Sequence, residues 1–434
     1  MDNSSHLSKI WKVVQVCSGN FLEMYDFFVF AYYAVPIGKT FFPAESEFAS
    51  LMASFMTFGA GFLMRPLGAI VLGSYIDRHG RKAGLLMTLA LMSVGTLSIA
   101  FTPSFAQIGF VAPTIVVLGR LLQGFSAGAE LGGVSVYLSE IATAKNKGFY
   151  VSWQSGSQQI AVVFVALVGV VLSTFIAKEQ MQTWGWRIPF VIGCLIIPLI
   201  FIVRRTLTET AEFSARTEHP TTSEILRTTL SNWRLVLSGM LLVTMSTVCF
   251  YFITAYTPTF GKEVLKLNSI DSLIVTVCVG VTNLLWVVGF GALSDRIGRK
   301  RVLMTATILG IITFYPALVL LTNNPSFLNL LAVELWFSFV YGTFNGAAVV
   351  YLTEIMPAHI RTSGFSIAYS LATAIFGGFT PAVSTYLIHT TGNRAMPGLW
   401  LVFAAVSGLT ATILSARFSG AIKAPASSGD AAAD

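Results

Sequence analysis

The sequence predicts an all-α membrane protein with twelve transmembrane helices in two pseudo-symmetric six-helix bundles. Composition is the first observation behind this. Of 434 residues, 54 % are hydrophobic and 11 % charged, against about 25 % charged in an ordinary soluble domain. Mean hydropathy is +0.73, and apolar surface on that scale needs lipid to cover it. The second observation is that apolar stretches of membrane-spanning length recur along the whole chain. The third is an echo: Gly73-Ser-Tyr-Ile-Asp-Arg-His-Gly-Arg-Lys82 returns as Gly291-Ala-Leu-Ser-Asp-Arg-Ile-Gly-Arg-Lys300, 218 residues later, half the chain length. Duplication within a membrane protein points to a transporter whose halves rock around a shared site.

In lipid the backbone must satisfy its own hydrogen bonds, so each apolar stretch of about 20 residues reads as a helix. These spans, numbered 1 to 12, fall at 13–38, 48–74, 84–102, 108–138, 148–176, 187–204, 234–260, 271–293, 302–322, 327–353, 363–389 and 398–417. Six precede and six follow the polar segment 206–232, which reads as a cytoplasmic linker. The expected organisation is an N-terminal bundle at 1–205, a C-terminal bundle at 233–420 and a disordered Ala/Ser/Gly/Asp tail at 421–434. A second echo supports the duplication. Tyr137-Leu-Ser-Glu140 ends span 4 as Tyr351-Leu-Thr-Glu354 ends span 10, and a base follows each Glu seven residues on, Lys147 or Arg361.

With the N-terminus inside, inner segments hold 19 of the 27 Lys and Arg; outer segments hold six, Lys39, Lys178, Arg187, Lys262, Lys266 and Arg394. The positive-inside rule then places both termini in the cytoplasm. No cleavable leader is expected, since the run after Trp11 lacks a small-residue cleavage site. The net charge of +7 is confined to short segments between spans, which argues against a nucleic-acid partner. Cys17, Cys194, Cys249 and Cys278 lie in or beside apolar segments without metal-ligand spacing and read as packing residues. There is no Walker-type phosphate loop, nucleophilic triad or metal-ligand array. An enzyme, a cofactor and a metal are therefore not expected, and the proton gradient is the expected energy source.

On the repeated Gly-x-x-x-Asp-Arg-x-Gly-Arg-Lys loop, and on Arg120-Leu-Leu-Gln-Gly-Phe-Ser-Ala-Gly-Ala-Glu130, the chain resembles the major facilitator superfamily. Four further stretches resemble its metabolite–proton symporter family: Gly19-Asn-Phe-Leu-Glu-Met-Tyr-Asp-Phe27, Phe62-Leu-Met-Arg-Pro-Leu-Gly68, Trp186-Arg-Ile-Pro-Phe190 and Phe376-Gly-Gly-Phe-Thr-Pro381. The overall run of the chain is most similar to that family's bacterial tricarboxylate members, carriers of citrate and tricarballylate. The resemblance implies a proton-coupled importer of an organic anion in the bacterial inner membrane, functional as a monomer. An uncoupled facilitator or exchanger, a symporter of another organic anion such as a dicarboxylate, and a nutrient sensor are the rivals. A sensor would need a cytoplasmic domain larger than 206–232.

Asp26 and Glu23 lie three residues apart in span 1 and share a helix face. A carboxylate at membrane depth costs roughly 2.5–3.5 kcal/mol on insertion scales, so these acids are candidates for proton coupling; related sugar–proton symporters place an acid after Tyr in span 1, which favours Asp26. Arg120 in span 4 is a permanent cation that grips carboxylates with a planar fork. Its expected partner is Asp26 or the substrate, with Gln123 on the same face and Arg65 in span 2 as a second anion contact or helix brace. Glu130 and Glu334 read as structural, with Glu334 near the outer surface. Uncharged substrate-binding candidates are Asn20, Tyr25, Gln154, Gln158, Tyr251, Asn283, Tyr341 and Asn345. Asp77, Arg78 and Arg81, with Asp295, Arg296 and Arg299, read as a conformational latch joined by Glu140 and Glu354. Gly124, Gly128 and Gly132 repeat at four-residue spacing, with Gly133 beside them, and read as a close-packing helix face.

Overall fold

A computed structural model describes residues 3–79, 81–143, 145–205, 227, 230–356 and 361–423. For some of these, including Asp77, Arg78, Arg81, Glu140 and Gly132, only the backbone is described. Most of the expected linker and the tail from 424 onward lie outside the described residues. The last helix, Pro397–Lys423, runs slightly beyond the boundary expected at 420.

All twelve predicted spans are helical, and no strand occurs among the described residues. Eleven are long and apolar enough to cross a membrane. The remaining one, span 1, is diluted by the polar residues it carries. Its helix, Asn3–Tyr32, continues after a break as Ala34–Phe41. Pro36 explains the break, because its ring excludes the carbonyl of residue 32, four positions back. Span 2 breaks in the same way between Glu47–Leu63 and Arg65–His79, beside Pro66. Span 7 passes from Trp233–Tyr251 through π-helical turns at Phe252–Tyr256 and Phe260–Val264, flanking Pro258. Span 11 has one at Thr373–Gly377, before Pro381.

The surface is the inverse of a soluble protein's. Leu195, Leu199, Leu285 and Ile312 are exposed, whereas Asn20, Glu23, Asp26, Arg65 and Arg120 are buried. Within the N-terminal half, span 4 packs on spans 2 and 3, span 5 on span 1, and span 6 on spans 1 and 3. The same pairs, each shifted by six spans, pack the C-terminal half. Between halves, span 5 packs on span 8 and span 2 on span 11, again symmetry mates. The duplication legible in two loops therefore extends to the packing of the whole chain.

Glycines permit the closest approaches. A Cβ on Gly124 would overlap the Gly61 carbonyl, and one on Gly128 the Arg65 carbonyl, so spans 2 and 4 touch backbone to backbone. In the Phe376–Pro381 stretch, Gly378 receives the Phe62 ring and Gly377 the Thr247 side chain. Gly298, at φ 93°, lets span 8 end at Ile297 and span 9 begin at Arg299 with no intervening loop.

Candidate functional site

Gly19, Glu23 and Asp26 occupy one stripe of span 1, separated by about 6 and 4.5 Å of helix rise. Each position meets a buried ion pair. Arg65 Nη2 donates to Glu23 Oε1 at 2.6 Å, and Arg120 Nη1 donates to Asp26 Oδ2 at 3.1 Å. At Gly19 the missing side chain makes room for Arg204, from span 6, which pairs with Glu130 from span 4. None of these six side chains is more than 5 % exposed. Arg204 sits at the end of span 6, where the sequence reads as an ordinary topogenic base; nothing local signals its burial.

The pairs at Glu23 and Asp26 differ in what surrounds them. Arg120 is enclosed by its own half. It donates to Gln123 Oε1 at 2.7 Å and to the Asp26 carbonyl at 3.4 Å, and stacks 4.0 Å from the Phe30 ring. Gln123 Nε2 donates to Asp26 Oδ2 and, at 3.1 Å, to Thr96 Oγ1. Arg65 instead faces the other half. Its guanidinium lies 4.5 Å from the Phe62 ring, which packs edge-on against Tyr251 at 5.1 Å. Tyr251 of span 7 and Tyr369 of span 11 are within electrostatic reach of both Arg65 and Glu23, and Tyr341 of span 10 joins this cluster. Phe27 separates the two guanidinium groups, 5.2 Å from Arg65 and 5.4 Å from Arg120. Among the described residues Glu23 Oε2, Asp26 Oδ1 and the Nε atoms of Arg65 and Arg120 have no protein partner.

The amides and hydroxyls divide into struts and open groups. Tyr25 donates to the Pro189 carbonyl at 2.6 Å. Asn20 donates to the Gln154 carbonyl at 2.7 Å and to Ser157 at 2.8 Å, while Gln158 reaches Asn20 at 3.4 Å. These join spans 1, 5 and 6. Asn283 donates to Gln159 at 3.0 Å and accepts from Ser338 at 2.7 Å, bridging the halves. The Gln154 and Gln159 amide nitrogens and both Asn345 side-chain polar atoms are buried without a protein partner among the described residues. Gln159 and Tyr369 are additions to the sequence-derived set. Gln159 is adjacent to the selected Gln158, and Tyr369 is a polar residue within span 11, so each had a signal in the sequence.

Glu334, early in span 10, is fully buried and meets Thr257 in the interrupted segment of span 7. Glu130 is the strut partner of Arg204.

At the end carrying the repeated loops, Asp295 Oδ1 accepts from the Gly148 amide at 3.0 Å and from Arg299 Nη2 at 2.6 Å. Gly148 lies in the first turn of span 5 (Lys147–Phe175), so a carboxylate of one half caps a helix of the other, where the exposed amides and helix dipole favour negative charge. Arg299 also reaches Glu354 at 3.2 Å. Arg296 is solvent-exposed. The mirror-image group, Asp77, Arg78, Arg81 and Glu140, falls outside the described side chains. The four cysteines form no disulfide.

Two symmetric helical bundles that meet beside a stripe of buried ion pairs, and that are joined by polar contacts at one end, define a multi-pass membrane transporter rather than an enzyme. The chain belongs to the Major Facilitator Superfamily, whose sequence profile matches residues 16–367. It is 59 % identical to a citrate-proton symporter of Salmonella typhi over 93 % of each chain. Identity to a citrate-proton symporter of Klebsiella pneumoniae is 57 %, covering 93 % of this chain and 91 % of the relative. In fold it matches the proton:xylose symporter XylE bound to 6-bromo-6-deoxy-D-glucose, with TM-score 0.77, 20 % identity and 96 % of each chain covered.

Proposed function

We propose that the protein imports a tricarboxylate, citrate before tricarballylate, together with protons, by alternating access between its two halves. It does so as a monomer in a bacterial inner membrane, with both termini cytoplasmic and the proton gradient as its energy source. The observation that carries this reading is the pair of ion pairs on one face of span 1, one sealed within its half and one turned toward the opposite half.

Asp26 is the proton-coupling group. Protonation removes its charge and releases Arg120 from the one charged partner it has among the described residues. Arg65 is the substrate guanidinium, which exchanges Glu23 for a citrate carboxylate; the nearby Tyr251 and Tyr369 hydroxyls supply further donors. This ordering reverses the sequence expectation, in which Arg120 led. Its support is that Phe27, Phe30, Gln123 and Asp26 enclose Arg120, whereas Arg65 lies against residues of the other half. Charge explains why protons are needed. Each elementary charge moved across the membrane is worth about 2.3 kcal/mol per 100 mV, and the inside-negative potential opposes entry of an anion. The Asp295–Gly148 contact is the latch that closes the cytoplasmic end and opens to release substrate.

The test is uptake of labelled citrate, tricarballylate and dicarboxylates into proteoliposomes with and without an imposed pH gradient. Citrate accumulation only with the gradient is the expected result. Accumulation of a dicarboxylate in preference, or indifference to the gradient, overturns the reading.

A further inference from the structure

Glu23, Asp26 and Glu130 are each paired with an arginine. Glu334 is as deeply buried yet has no cation. Spans 4, 5, 7, 8, 9 and 11 all pack against its helix; among the described residues no charged side chain pairs with it, and the titratable side chains on this part of spans 7 and 10 are the phenols Tyr256, next to Thr257, and Tyr341, two turns along its own helix. Its polar contact is with Thr257, whose Oγ1 lies 2.9 Å from Glu334 Oε1; Oε2 has no partner among the described residues.

The geometry at Thr257 says more. Its hydroxyl also lies 3.0 Å from the Ile253 carbonyl and 3.2 Å from the Phe252 carbonyl. A hydroxyl has a single proton to donate. If that proton goes to a carbonyl one turn back, Thr257 Oγ1 can only accept from Glu334, and a carboxyl donates only when protonated. An ionised Glu334 would be a buried charge with one shared hydrogen bond and no counter-ion, which is strongly disfavoured. The acid form satisfies both contacts at once.

The position suits a group whose surroundings change. Thr257 lies between the two π-helical turns of span 7, and such turns are frequent at functional sites. Ser338 and Tyr341 follow Glu334 by one and two turns on the same face of span 10. Ser338 joins Asn283, which joins Gln159 of the other half. Glu334 thus sits on a helix tied to the interface that opens and closes.

We propose that Glu334 is a second proton-carrying carboxyl, located in the C-terminal bundle. It holds its proton while enclosed and releases it when the conformational change admits water. The charge of a tricarboxylate gives this a purpose, since one proton on Asp26 would leave most of it uncompensated. The inference rests on the proton-symport reading.

The experiment measures proton-to-citrate stoichiometry from reversal potentials in proteoliposomes, with the pH profile of uptake. Glu334→Gln keeps the size of the side chain and its ability to donate and accept, as the protonated acid does. It should bind citrate and exchange it normally but couple one proton fewer. The attainable accumulation ratio then falls about tenfold per pH unit of gradient. Unchanged stoichiometry and pH profile would overturn the proposal and leave Glu334 a permanently neutral structural acid. Thr257→Val, which exchanges the hydroxyl for a methyl group, guards against a Glu334→Gln variant that fails to fold. It should shift the midpoint of the pH profile at unchanged stoichiometry, and an unshifted midpoint counts against the proposal. Wild-type citrate movement indifferent to a pH gradient would instead refute proton symport itself.

Discussion

Asp26→Asn isolates the charge of the coupling group from its shape. An asparagine oxygen can still accept from Arg120 and Gln123, so the local geometry survives and only the negative charge is lost. Arg120 then keeps the Gln123 carbonyl oxygen at 2.7 Å, the main-chain carbonyl of residue 26 at 3.4 Å and the Phe30 ring at 4.0 Å. None of these is an anion. Removing one partner of a buried ion pair costs about 3–5 kcal/mol, and the retained hydrogen bonds place the loss near the lower figure. The variant should therefore unfold at a lower temperature in detergent, still exchange citrate between equilibrated compartments, and accumulate it to a much lower ratio than the wild type when a pH gradient is imposed. The double variant Asp26→Asn with Arg120→Gln removes both charges and should recover most of the thermal stability without recovering accumulation. That separation distinguishes coupling from a structural role. Accumulation by Asp26→Asn at the wild-type ratio would refute the reasoning and pass the role to Glu23.

Arg65→Ala should weaken citrate binding, measured by calorimetry, by about 2–5 kcal/mol, the usual cost of truncating one partner of a buried charged contact. Arg65→Lys should still lose at least about tenfold, because an ammonium lacks the planar fork. Arg120→Lys should chiefly impair uphill uptake, and a larger affinity loss there than at Arg65 would restore Arg120 as the substrate contact. Asp295→Asn weakens the cap on span 5 by about 0.3–1 kcal/mol. Turnover should change several-fold with KM within about twofold, and a large KM change with unaltered turnover would remove Asp295 from the latch. Gly128→Val should abolish folded protein in size-exclusion chromatography, because its Cβ would overlap the Arg65 carbonyl; a well-folded variant would show that spans 2 and 4 are less tightly joined.

Fold class, number of spans and duplication are all legible in the sequence. Each is written in local composition and periodicity: lipid demands uninterrupted apolar helices, and the repeated loops sit at helix ends where charge is cheap. It also singled out Glu23, Asp26, Arg65 and Arg120, because ionisable side chains stand out against an apolar background. Pairing was decided only by the tertiary structure. Which arginine meets which acid depends on how spans 1, 2, 4 and 6 pack, and the glycines that set their approach were legible only as a packing stripe. Arg204 shows the difference most clearly. It reads as one of several cytoplasmic bases until Gly19 leaves room for it inside the bundle. Glu334 is a second case: its place early in span 10 says nothing of its burial, and its contact with Thr257 comes from the interrupted fold of span 7. Burial and partnership at these positions come from residues distant in the chain, and no local pattern encodes them.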